Sequence, residues 1–458
     1  MLYYFGDNIY FHLCILGKIE EYLENGSTLE IKTLKEYSEI LKILFGNLIS
    51  TLETHEHDIQ NDDISITEYF GINHETRIKL KKNILFSNDE LKNKYTSLNL
   101  VCRWTSNKYE QIVSNIIKDT FLCKEHMIIN IVPDMSISEK IYILNQSILF
   151  ITDDLNYFSF SSNCNIKNLC LLLDYSNYKA NNNLFNNPNF YIINICDEKT
   201  IPMFRINFLK NNNMLPYMKK RNNYSFVSCI CPTYNRINFF PYLIKIFQNQ
   251  KYPKEYRELI ILDDSPSNNV ELIKKLDTQN NIKYIHINTD KPLPIGKKRN
   301  LMHQLVSGDY IVCFDDDDYY SPERINYSVD LLSKSKIKFA GSSKMLIYYT
   351  DINKIYEFGP YHQNHATNGT FAYHRSHIFK NFYDDSAMSA EEKYFLNNYQ
   401  EKMIQLDITK TMVCIAHNNN TFDKKKVLNS GKIVSGKKIN HYVKDKEILN
   451  FYKSLGNK

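Results

Sequence analysis

From Phe226 to Phe314 the chain repeats one pattern: a short apolar run, a polar turn, then a segment with apolar positions at helical spacing. Phe226–Cys231, Leu259–Leu262, Ile282–Ile287 and Asp309–Phe314 read as strands, the first closed by Pro232. Pro241–Gln250, residues 269–277 and Gly296–Val306 read as helices. Strands alternating with helices across short connections predict an α/β fold with a doubly wound, mostly parallel, Rossmann-like sheet. Such a sheet gathers ligands at the carboxyl ends of its strands. Polar clusters stand at those ends: Pro232-Thr233-Tyr234-Asn235-Arg236, Asp263-Asp264 and Asp315-Asp316-Asp317-Asp318.

The last cluster is the most demanding. Four adjacent carboxylates at the end of a buried strand repel one another, and a hard divalent cation, Mg²⁺ or Mn²⁺, is the natural compensation. A solvated acidic turn is the alternative, since charge runs usually belong to the surface.

A length of 458 residues predicts two or three domains. No apolar stretch reaches the roughly 18 residues of a membrane span, and the first residues lack the basic start of a secretory signal, so the expectation is a cytoplasmic chain. The ten cysteines show no CxxC pairing and several lie in apolar runs, which suits reduced, buried thiols. Residues 1–220 carry 22 basic and 26 acidic side chains and residues 221–458 carry 34 and 25. That modest surplus suits a phosphate-bearing ligand and is too dispersed for nucleic acid.

In the first half, Leu34, Tyr37, Leu41, Leu44 and Leu48 have helical spacing and predict a helix over 28–50, followed by a polar loop at 55–63. The runs His126–Val132, Ser147–Thr152, Cys170–Asp174 and Asn189–Cys196 predict strands of a separate, Rossmann-like α/β unit whose role stays open between acceptor selection, oligomerisation and a second transferase domain. The polar, turn-rich stretch 211–223 marks a boundary, giving domains at 1–220 and 221–430 and a basic tail at 431–458 with a helical pattern over Val443–Leu455.

Four ordered motifs carry a resemblance: Val227-Ser228-Cys229-Ile230-Cys231-Pro232-Thr233-Tyr234-Asn235-Arg236, Leu259-Ile260-Ile261-Leu262-Asp263-Asp264-Ser265, Gly296-Lys297-Lys298-Arg299-Asn300, and Gly308-Asp309-Tyr310 through Asp318 with Pro322. Together they resemble the family 2 glycosyltransferases, which have the GT-A fold and a DxD element. The resemblance implies an inverting, metal-dependent transfer of a sugar from a nucleotide-diphosphate donor, a UDP-sugar by family frequency, to a hydroxyl of a glycan or protein.

It assigns nucleotide recognition to Pro232, Thr233, Tyr234, Asn235, Arg236, Asp263, Lys297 and Arg299, with Asp315 and Asp316 alongside. Asp263 would accept from the N–H edge of the base. Lys298 departs from the small residue usual at its position and is a doubtful contact. Asp315-x-Asp317 matches the DxD element, so Asp317 and Asp315 would hold Mn²⁺ or Mg²⁺, and His417 matches a position that completes the metal shell in some members. Asn368-Gly369-Thr370 resembles the acceptor-lining strand, with Gly369 and Thr370 as acceptor contacts. Glu391-Glu392 resembles the family's acidic pair with Glu in place of Asp, and Glu392 matches the base. Adjacent carboxylates raise each other's proton affinity, which suits that role.

Other readings stay open. A nucleotidyltransferase would want a glycine-rich phosphate loop where Pro232–Arg236 has no glycine. A catalytically degenerate module would bind sugar nucleotide or glycan without turnover. His362-x₂-His365 and His374-x₂-His377 have zinc-like spacing but no framing cysteine or acid. Trp104 fits a core position better than a sugar platform.

Overall fold

The computed structural model describes residues 2–4, 29–34, 49–55, 100–104, 109–122, 124, 126–132, 135, 137–153, 166–173, 190–197, 199–217, 224–420 and 422–457. The chain divides into two compact units, Met1–Phe204 and Arg205–Lys458, with the division inside the helix Thr200–Asn211.

In the first unit, Leu100–Trp104 pairs in parallel with Met127–Asn130 and Leu149–Thr152, and the sheet continues in parallel through Leu169–Leu173 and Phe190–Asn194. The helices Glu110–Thr120 and Ile137–Gln146 form two of the crossovers. This is the α/β pattern expected from the apolar runs. A three-stranded parallel sheet joins Leu2–Tyr4, Leu29–Leu34 and Ile49–His55. The helix expected over 28–50 is therefore corrected at both ends. Leu29-Glu30-Ile31-Lys32 alternates with period two, and that alternation prevails over the helical spacing that starts at Leu34. Residues 35–48, the expected loop beyond His55 and the side chain of Trp104 lie outside the described residues.

In the second unit the strands are β1 Val227–Thr233, β2 Arg257–Asp263, β3 Ile282–His286 and β4 Tyr310–Cys313. The helices between them are α1 Phe240–Gln248, α2 Val270–Leu276 and α3 Ile295–His303. Downstream come β5 Tyr319–Tyr320, α4 Arg324–Ser333, β6 Phe339–Gly341, β7 Met345–Tyr349, β8 Lys354–Phe358 and β9 Ala372–His374. The last elements are α5 Glu392–Phe395, β10 Ile404–Gln405, β11 Met412–Ala416, β12 Lys432–Ile433 and α6 Lys446–Ser454.

The main sheet has seven strands in the order β3-β2-β1-β4-β9-β6-β10. β3, β2, β1 and β4 run parallel, and β9 is antiparallel to both β4 and β6. The order reverses beside β1, so β1 and β4 end at the crevice where a doubly wound sheet takes its ligand. All seven residues of β1 are buried, and each such Val or Ile contributes about 1.5–3 kcal/mol.

Pro232 lies inside β1, opposite Leu262, where the sequence pattern predicts the strand to have stopped. The β4 ladder ends with Phe314 N–H donating to the Ile230 carbonyl. Residue 232 faces the same side, past the ladder's end, so its missing N–H leaves no gap.

A second sheet, β5-β11-β7-β8-β12, flanks the acidic run. Tyr319 and Tyr320 pair with Val413 and Met412, which brings the loop after β11 against the end of β4. The tail helix α6 is capped by Asp445, whose carboxylate accepts from Glu447 N at 2.9 Å and Ile448 N at 3.1 Å. The Phe451 ring stacks on Tyr242 of α1 at 3.7 Å and Lys245 pairs with Asp445 and Glu447.

Candidate active site

The turn after β1 and the acidic run after β4 meet at the crevice. Thr233 donates its hydroxyl to Asp316 Oδ2 at 2.5 Å. Arg236 approaches Asp316 Oδ1 at 3.6 Å and Asp317 Oδ2 at 3.8 Å, and also donates to the Asn419 carbonyl. Asn235 holds a left-handed φ of 54° and donates its N–H to Ser265 Oγ at 2.8 Å. Asn tolerates that conformation better than most residues. Tyr234 and Arg236 are half-buried, and Asn235 is exposed.

The four aspartates diverge. Asp317 Oδ2 meets His417 Nε2 at 3.1 Å and accepts from Asn420 Nδ2 at 3.0 Å. Burial would raise its proton affinity, but Lys424, His417 and Arg236 outweigh that and hold the carboxyl below the usual range. Asp316 is pushed up to about 8 by burial and by the charge of Asp317. Asp318 is pushed up to about 7, chiefly by burial, and turns away from the crevice to accept from Ile415 N at 2.8 Å. Asp315 accepts from Arg299 Nη2 at 3.1 Å.

Five carboxylates, Asp315 to Asp318 and Glu391, thus crowd around three cations, Arg236, Arg299 and Lys424, and burial together with this crowding is what pushes Asp316 and Asp318 toward their protonated forms. Crowded carboxylate oxygens of this kind are the donor type that a hard divalent ion takes. Among the described residues, no group of three or more His, Cys, Asp or Glu side chains is placed to hold a metal ion. His417 Nδ1 accepts from Asn419 N–H at 3.2 Å, which puts the neutral ring's proton on Nε2, aimed at Asp317. As placed, His417 is a hydrogen-bond donor to Asp317; ligation through Nε2 requires the loop to release Nδ1.

Arg299 joins the acidic run to the acidic pair: its Nε donates to Glu391 Oε1 at 2.9 Å while its Nη2 serves Asp315. Glu391 is 7% exposed and engaged in this bridge. Glu392 opens α5, is half-buried and makes no ion pair among the described residues. Burial first, and then the charge of Glu391, push it up to about 6.

Several expected contacts sit elsewhere. Asp263 is fully buried and its carboxylate is saturated by Ser265 N at 2.9 Å, the Ser265 hydroxyl, Asn269 Nδ2 at 3.1 Å and Tyr284 OH at 2.7 Å. It fixes the turn after β2 and has no oxygen left for a base, which revises its expected role. Thr370 is likewise fully buried, donating to the Thr367 carbonyl at 2.7 Å and accepting from Ser342 N at 2.9 Å, so it shapes the loop and does not line a pocket. A Cβ at Gly369 would stand 2.6 Å from Asp315 Oδ2; glycine there makes room for the carboxylate. Arg299, only 4% exposed, is a bridge between acids and not a cation open to the nucleotide. Lys297 is half-buried at the start of α3. Of the four histidines, His377 packs on Phe339 and Phe395, His374 on Tyr310 and His365 on Tyr361 and Tyr399, while His362 shares a turn with His365, accepting from its N–H at 3.0 Å.

Sequence reasoning missed two partners. Lys298, set aside as doubtful, is buried with Nζ on the Thr233 carbonyl at 3.0 Å and paired with Asp264. Lys424 Nζ lies 3.9 Å from Asp318 and donates to the Ile415 carbonyl at 2.9 Å. It begins a Lys424-Lys425-Lys426 run that reads as solvated charge, and only its place after β11 hints otherwise.

Residues 228–406 match the family model described as Glycosyl transferase family 2. The poly(ribitol-phosphate) beta-N-acetylglucosaminyltransferase TarS of Staphylococcus aureus (strain Mu50) is 29% identical over 99 residues, 21% of this chain and 17% of that protein. A dolichyl N-acetyl-alpha-D-glucosaminyl phosphate 3-beta-D-2,3-diacetamido-2,3-dideoxy-beta-D-glucuronosyltransferase of Methanococcus voltae is 27% identical over 137 residues, 29% of this chain and 41% of that protein. The crystal structure of S. aureus TarS 1-349 in complex with UDP-GlcNAc superimposes with a TM-score of 0.34 at 19% identity, covering 43% of this chain and 60% of that one. The chain spans less than half the length of these curated relatives. Its second unit carries, at residues 228–406, a family 2 glycosyltransferase domain.

Proposed function

We propose that the chain transfers a sugar, with inversion, from a nucleotide-diphosphate donor to a hydroxyl of a glycan or protein acceptor, and that the donor is a UDP-sugar. The observation that carries this reading is the meeting of a crowded acidic run, the β1 turn, and the pair Glu391-Glu392 joined to that run by Arg299.

Tyr234, Asn235 and Arg236 would meet the nucleotide, with Lys298 beneath the turn holding the Thr233 carbonyl. Asp317 and Asp315 would hold Mn²⁺ or Mg²⁺, with oxygens of the donor diphosphate completing the shell. The ion, when bound, supplies Lewis-acid neutralisation of charge on the departing diphosphate. Glu392 takes the proton of the acceptor hydroxyl as its oxygen forms a bond to the anomeric carbon, and the bond from that carbon to the diphosphate oxygen breaks on the opposite face. Glu391 and Arg299 keep Asp315 and the base in register.

The test is a panel of nucleotide sugars with Mn²⁺, reading released nucleotide and the anomeric configuration of the product. Turnover of one donor, abolished in Asp317→Asn, is the expected result. Nucleotide binding without release from any donor would instead establish a degenerate binding module.

A further inference from the structure

The basic tail has no part in the proposed transfer, yet it builds one wall of a groove of about 380 Å³. Residues 424–444 hold seven lysines and no Asp or Glu. From this stretch Lys437 and His441 line the groove, and Lys410 joins them from the turn before β11.

The floor is Tyr319 and Val413, which pair across β5 and β11. Successive side chains of a strand point to opposite faces, and directly paired residues share a face. Tyr320 and its partner Met412 gather with Asp315 around Gly369, and the Tyr320 hydroxyl accepts from Asp315 N–H at 2.7 Å. Tyr319 and Val413 therefore turn away from the acidic run, and the groove is separate from the donor crevice.

The groove's polar groups are mostly unspent. Tyr319 is only 6% exposed, and its hydroxyl makes no hydrogen bond among the described residues. Ser321 Oγ accepts from Glu323 N–H at 3.3 Å and keeps its own proton. His441 Nδ1 accepts from Lys438 N–H at 3.1 Å, which puts the neutral ring's proton on Nε2. Lys410 stands over the Tyr327 ring at 5.1 Å, and neither it nor Lys437 makes an ion pair among the described residues. Glu323, the acid in the lining, is already engaged by Lys251 at 3.3 Å.

We propose that this groove binds a phosphate ester, its charged oxygens held by Lys410, Lys437 and His441 and its organic body lying on Tyr319 and Val413. Ammonium groups act on phosphate as point charges, and added hydroxyl donors suit a tetrahedral group of three oxygens. A planar carboxylate is matched better by the arginine fork, which the lining lacks. A soluble polyol phosphate and an anionic lipid headgroup present the same chemistry.

Calorimetry on the whole chain, with and without UDP and Mn²⁺, tests this with glycerol 3-phosphate and glycerol as paired probes. Phosphatidylcholine vesicles with and without phosphatidic acid supply the lipid arm. The expected result is saturable binding of glycerol 3-phosphate that UDP does not displace, and none of glycerol. The double variant Lys437→Gln, His441→Gln should weaken that binding about tenfold or more. Both side chains are exposed, so its melting temperature should hold. Sedimentation with phosphatidic acid vesicles, lost in the same variant while glycerol 3-phosphate stays unbound, supports the groove and assigns the headgroup as its ligand. Displacement by UDP, equal binding of glycerol, an unaffected double variant, or no binding of either phosphate source overturns it.

Discussion

Arg299 donates through Nε to Glu391 at 2.9 Å and so ties the start of α5 to α3, while its Nη2 holds Asp315. The acidic pair therefore divides its labour: Glu391 is spent on structure, and Glu392 is left half-buried with no ion pair among the described residues. Arg299→Ala strands a buried carboxylate at Glu391, a loss of about 3–5 kcal/mol for breaking one partner of a buried pair. Arg299→Lys retains charge but not the two-pronged reach, and is expected to keep part of the stability while losing most turnover. Thermal melts set beside donor hydrolysis for the two variants check this; equal turnover in Arg299→Lys and the unmodified protein would count against the bridge.

Glu392 can accept a proton only when ionised. Because burial and Glu391 push it up to about 6, kcat/KM is expected to rise as pH passes upward through about 6 and then level. Glu392→Gln should lower kcat by about 10²–10⁴ with little change in donor binding. Glu391→Gln removes the neighbouring negative charge, so its acid limb should move to lower pH. A limb that stays in place in Glu391→Gln, or persists in Glu392→Gln, assigns the titration to another group.

The sequence made the strand ends legible because apolar runs and the polar clusters that close them fix where the sheet stops. It could not show which carboxylates are already satisfied. Asp263 and Asp317 look alike in the chain, yet Asp263 is saturated by Ser265, Asn269 and Tyr284 whereas Asp317 faces the crevice. The difference depends on Tyr284, a residue of the neighbouring strand. His417 and Lys424 reach the acidic run only because β5 pairs with β11, a long-range pairing that no local periodicity announces.

Lys298 is the residue whose removal should separate stability from chemistry least gracefully. Its ammonium pairs with Asp264, whose side chain is fully buried, and binds the Thr233 carbonyl beneath the β1 turn. Lys298→Met leaves that carboxylate uncompensated, at a cost of about 3–5 kcal/mol. Lys298→Met with Asp264→Asn should recover much of the loss, since the pair is removed together. A double variant no more stable than Lys298→Met would place the cost in packing around α3 instead.

Phe239 links the tail helix to the crevice. Its ring lies 5.3 Å from Phe451 of α6, 5.1 Å from His417 and 5.6 Å from the Arg236 guanidinium. Arg236 and His417 both face Asp317, so a shift of Phe239 moves two of that carboxylate's neighbours at once. Phe451→Ala removes the edge contact with Phe239 and the stack on Tyr242, and should lower the melting temperature by a few degrees. Phe451→Leu keeps most of the apolar burial and is expected to restore the melt. If the ring contact positions Arg236 and His417, Phe451→Leu will still bind Mn²⁺ and UDP several-fold more weakly by calorimetry. Full recovery of both properties in Phe451→Leu would reduce α6 to a packing element with no hold on the site.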